Sequence, residues 1–126
     1  RAHLLYRGRS FLEAGVTLAG SSDRPCAEGN VLRGMQLFMT RLTRSGRLSG
    51  PSHERLSAHE ALAAYTSGAA AAMGMTGTRA GRAGELTRGA LADLVIVTGD
   101  PLDTAAEAVT GLGVKATMRG GQWTHR

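Results

Sequence analysis

Gly15 to Pro25 reads Gly-Val-Thr-Leu-Ala-Gly-Ser-Ser-Asp-Arg-Pro, and no other stretch narrows the possible folds as much. Val16 to Ala19 form a short apolar, partly β-branched run of the kind found in parallel sheets buried on both faces, so a strand is expected there. Gly20, Ser21 and Ser22 then turn the chain and deliver Asp23 just beyond that strand's C-terminal end. Barrel and open α/β enzymes place catalytic groups at that position. Ser-Ser-Asp-Arg-Pro is also ordinary turn chemistry, and spacing alone does not separate a working carboxylate from one that only shapes the loop.

The 126 residues are enough for one core but only about half of a (β/α)8 barrel, so a complete barrel is excluded. Hydrophobic residues at 42% and charged residues at 20% are the balance of a globular chain, not a disordered one. Aromatics are only 4% against 18 glycines, so the core must rest on Leu, Val, Ala and Met. The net charge of +5 is carried by arginine, with Lys115 the only lysine. These cations are scattered, and the densest groups, around Arg41 to Arg47 and Arg79 to Arg88, lack interleaved aromatics for stacking on bases. Nucleic acid is therefore not an expected partner. No run approaches the ~18 apolar residues of a membrane span, so no membrane partner is expected either. The lone Cys26 cannot form an internal disulfide, which fits a reduced, cytoplasmic setting, and it is expected as a small buried filler.

Local patterns place the elements. Leu4, Leu5, Phe11 and Leu12 recur at helical spacing up to Gly15. Asn30 is positioned to cap a helix whose apolar stripe is Val31, Met35, Phe38, Met39 and Leu42. Arg41 lies off that stripe, where a solvated side chain is the commoner outcome. Arg44 to Pro51 is turn-rich. Ser57 and Glu60 have capping-box spacing, with Leu62, Tyr65, Ala69 and Ala72 following on one face. His53 and His59 lack the i, i+4 spacing that puts two imidazoles on one metal and read as surface residues. Met75 to Arg88 shows no periodicity and is expected to be a mobile linker. Leu94 to Val97 is a strand, and Val114 to Thr124 a hairpin turning at Gly120-Gly121, with Asp93 and Asp100 as turn residues.

Taken in order, Gly-Ser-Ser-Asp-Arg-Pro, then Met39-Thr40-Arg41, then Leu56 to Leu62 with Tyr65-Thr66, then Gly89 to Val97 with Gly99-Asp100-Pro101-Leu102, resemble the C-terminal part of a metal-dependent amidohydrolase of the amidohydrolase-3 group. The resemblance implies an α/β fold class, namely the C-terminal fragment of a (β/α)8 metal-dependent hydrolase barrel plus part of a small β-sandwich. Residues 1–74 would be the last strand and terminal helices, 75–88 a linker, and 89–126 sandwich strands. It implies Asp23 as the catalytic carboxylate and as a metal ligand alongside histidines absent from this sequence. Arg41 becomes a candidate substrate-binding residue, and Zn²⁺ or another divalent metal the cofactor of the intact enzyme, acting on a non-peptide C–N bond of a small amide. The segment alone is expected to be inactive and to form a homo-oligomer. The competing reading is a non-catalytic α/β module that self-associates through its sheet.

Overall fold

The computed structural model describes residues 2–78 and 81–126. It is an α/β chain in which helices dominate the first half and two small antiparallel sheets the second. A 3-10 turn at Ala2–Leu4 leads to α1 (Gly8–Glu13), α2 (Val31–Thr40), α3 (Ala58–Tyr65) and α4 (Ser67–Ala72). The strands are β1 (Thr76–Thr78), β2 (Gly81–Arg82), β3 (Leu94–Val97), β4 (Val114–Arg119) and β5 (Gln122–His125).

Helix α2 starts where the sequence implies, with the Asn30 side chain accepting a hydrogen bond from the Arg33 N–H. Met35 and Met39 turn inward and join Ala61 and Val109 in the core, with Leu32, Phe38, Leu62 and Tyr65 packed around them. Val31, at the start of the same stripe, is exposed. Helix α3 carries the full capping box between Ser57 and Glu60. The single apolar face expected from Leu62 through Ala72 does not continue, because Thr66 (φ −118°, ψ −92°) breaks the helix. In α4 the buried residues are Gly68 and Ala70.

The strand expected over Val16 to Ala19 is absent, and the segment has no strand neighbour among the described residues. A strand exists only through its ladder, and here the backbone is held by helices instead. The Gly20 N–H donates to Ala64 O at 2.8 Å. At Gly68 a Cβ would stand 2.0 Å from Leu18 O, so only glycine lets α4 approach this closely.

Within the expected linker, β1 and β2 pair as a short antiparallel ladder, with Thr76 opposite Arg82. Arg79 and Ala80, part of the same expectation, lie outside the described residues. The three-stranded sheet follows the sequence pattern, in the order β3-β4-β5. Gly120 and Gly121 take positive φ in its turn. Asp93 accepts from the Gly120 N–H and Asp100 from the Leu102 N–H, as turn residues do. The connection from β3 to β4 leaves the sheet to dock on α2. Val109 is fully buried in the helical core, and Gln36 Nε2 donates to Glu107 O at 2.7 Å.

Candidate functional site

Asp23 sits on the exposed loop between the Val16–Gly20 segment and α2. Its backbone is left-handed, φ 50°, a conformation that aspartate tolerates better than most residues. The turn is closed by the Asp23 N–H donating to Ser21 Oγ at 3.1 Å and the Cys26 N–H donating to Asp23 O at 2.8 Å. The loop borders an open cleft of about 1050 Å³ walled by Ser22, Arg24, Arg33, Arg44 and Tyr65. Asp23 itself is not among the lining residues. Tyr65 is fitted closely against α2: a Cβ at Gly34 would stand 1.9 Å from its hydroxyl oxygen. Its ring meets Phe38 at 5.9 Å between centroids. Burial pushes the Tyr65 phenol above its ordinary range.

Two sequence expectations are corrected here. Cys26 is exposed, not a buried filler, because it belongs to the loop on the cleft's rim rather than to an element packed on the core. Arg41 is only 6% exposed, not solvated. It ends α2 in a left-handed conformation, φ 57°, and that turn folds the side chain back towards the N-terminal segment. Its Nη1 donates to Tyr6 O at 2.6 Å and Nη2 to Leu5 O at 2.9 Å. His53 and His59 are both exposed, as expected.

Sequence reasoning missed Glu54, which is 2% exposed. Its carboxylate accepts from the Ser10 N–H at 2.9 Å and from the Ser10 hydroxyl. Those bonds, the hydroxyl first, hold its pKa below the usual carboxylate range. Nothing in the periodicity marks it. Glu60, which the capping box did mark, carries a second role. Arg9 Nη1 and Nη2 grip it at 2.5 and 2.6 Å, and this pairing, helped by Ser57, lowers its pKa to about 2. The same pairing raises Arg9. Glu54 and Glu60 together fasten α1 to the helical core.

Residues 1–125 match the model of Amidohydro_3, the Amidohydrolase family. The chain belongs to that family. Among similar proteins, the N-substituted formamide deformylase of Arthrobacter pascens is 34% identical over 113 residues, covering 90% of this chain and 20% of that protein. The putative amidohydrolase YtcJ of Bacillus subtilis (strain 168) is 29% identical over 125 residues, covering 97% of this chain and 23% of that protein. This amidohydrolase-family chain thus spans about a fifth of the length of these relatives. No solved structure matches it.

The metal implied by the resemblance needs three or four nitrogen, sulfur or oxygen ligands. Among the described residues no group of three or more His, Cys, Asp or Glu side chains is placed to hold an ion. Asp23 offers one carboxylate, and the residues present do not by themselves fit a metal. No described helix is long and apolar enough to cross a membrane.

Proposed function

We propose that these residues form the C-terminal segment of an amidohydrolase that cleaves a non-peptide C–N bond in a small amide, with Asp23 as the carboxylate this segment contributes. The observation that carries the reading is the family match over residues 1–125, extended by the similarity to a formamide deformylase. An exposed carboxylate at a loop tip beside a cleft can accept a hydrogen bond from a water molecule, take its proton and return it to a leaving nitrogen. A divalent metal in the intact enzyme would make such a water more acidic; its remaining ligands would come from outside this segment. The barrel and sandwich reading belongs to the same proposal, as does self-association through the three-stranded sheet, whose β3 and β5 each pair on one side only among the described residues.

The test is hydrolysis of an N-substituted formamide by an amidohydrolase-length protein carrying these residues. Asp23→Asn is expected to lower kcat about a hundredfold or more with little change in KM. Undiminished turnover in that variant would remove Asp23 from the chemistry. The isolated 126-residue chain is expected to show no turnover and no stoichiometric zinc in metal analysis. Light scattering over a dilution series is expected to show a dimer dissociating, and a monomer throughout would remove the self-association.

A further inference from the structure

A second cavity, of about 350 Å³, adjoins the Asp23 loop through Ser21 and Tyr65. Leu37, Phe38, Leu42 and Tyr65 give it apolar walls, Arg41 lines it as well, and none of its lining residues is acidic. Its size lies at the lower end of the range in which proteins hold small molecules.

The position of Arg41 is what sets this hollow apart. A guanidinium stays charged throughout the working pH range, and burying a charge is costly unless an opposite charge or a full set of hydrogen bonds compensates it. Arg41 is nine-tenths buried and has no acidic partner among the described residues. Two neutral carbonyls, Leu5 O and Tyr6 O, accept from its Nη atoms. Its Nε is buried with no hydrogen-bond partner among the described residues. Arg41, a lining residue of this apolar hollow, is therefore a cation without an anionic partner among the described residues, and its Nε is a further unpaired donor buried beside the hollow's lining.

We propose that this cavity binds a small organic carboxylate with an apolar body, its carboxylate accepting from the Arg41 guanidinium and its body resting on Leu37, Phe38 and the Tyr65 ring. Charge-assisted hydrogen bonds to a guanidinium favour a carboxylate over its uncharged amide counterpart. The apolar walls favour a carboxylate with a hydrocarbon body over a fully hydrated anion. The proposal goes beyond the hydrolase reading and does not need it, because binding can be measured on this chain without turnover.

Isothermal titration of the 126-residue chain with benzoate, benzamide and inorganic phosphate tests it. Saturable benzoate binding is expected, about tenfold or more tighter than either of the others. Leu37→Trp fills the hollow from its partly exposed rim and is expected to abolish benzoate binding with the thermal midpoint preserved. Arg41→Lys keeps the charge but loses the fork, and is expected to weaken benzoate about fivefold or more. Benzoate failing to bind, benzamide or phosphate binding as well as benzoate, or Leu37→Trp binding benzoate like the wild type would each overturn the proposal. The Leu37 result decides the matter even if the Arg41 variant loosens the N-terminal segment that the arginine ties down.

Discussion

Between Asn30 and Ala72 the helices bury Met35, Met39, Ala61 and Ala64, whereas the strands of the three-stranded sheet bury only Ala116. Val95 is 60% exposed and Trp123 41%, so the sheet holds its shape mainly through backbone ladders. The helical region is specified by side-chain shape, down to glycines at 34 and 68 where a single methyl group would collide. The sheet tolerates more, and what fixes its place is the excursion that carries Val109 into the helical core. One chain thus combines an exacting half with a permissive half.

Substitutions on the two sides should separate accordingly. Met35→Ala opens a cavity at a residue only 1% exposed and is expected to destabilise the chain by about 3 kcal/mol in urea unfolding. A loss under about 1 kcal/mol would mean that the helical core collapses around gaps and is no more exacting than the sheet. Gly68→Ala pushes a methyl group against the Leu18 carbonyl and is expected to lower stability by about 2 kcal/mol. It should also loosen the Asp23 loop, seen as faster amide exchange at Gly20, whose N–H is bonded to Ala64 O.

Glu60→Gln is expected to lower stability by about 1 kcal/mol at neutral pH, since the pair with Arg9 is partly exposed and half the capping box is weakened. Because the folded-state pKa of Glu60 is depressed from 4.5 to about 2, its contribution is complete above pH 4.5 and is lost as pH falls towards 2. The variant should lose that part of the acid sensitivity, which thermal melts across the pH range would show. On the sheet, Val95→Thr should change stability by less than about 0.5 kcal/mol. A larger loss would show that this face is covered in solution.

What the sequence made legible was local. Asn30, the Ser57 and Glu60 pair and the Gly120-Gly121 turn act on backbone groups within a few residues, so their patterns survive without knowledge of the fold. Leu94 to Val97 was legible because four apolar residues between turns leave few alternatives. Val16 to Ala19 have a similar composition but no strand neighbour among the described residues, and pairing depends on residues far away in sequence. Arg41 and Glu54 depend on distant partners: Leu5 and Tyr6 for one, Ser10 for the other. No periodicity around residue 41 or 54 encodes those meetings. At the candidate site, Asp23 is singled out by the resemblance around it and by an expected strand-turn setting whose strand the structure does not contain, whereas the cavity beside Arg41 arises from how α2 ends and leaves no mark in the sequence.

The hydrogen bond from Gln36 to Glu107 joins residues 71 positions apart. Contacts of such long range slow folding, because the intervening chain must be brought together before the contact returns any free energy. Helices α2 and α3 can form early from their own caps, but the pocket awaiting Val109 stays open until the last third of the chain has been made and has folded back. During synthesis Met35 and Ala61 would then remain uncovered longer than any other part of the core, and that interval is when the chain is most exposed to aggregation.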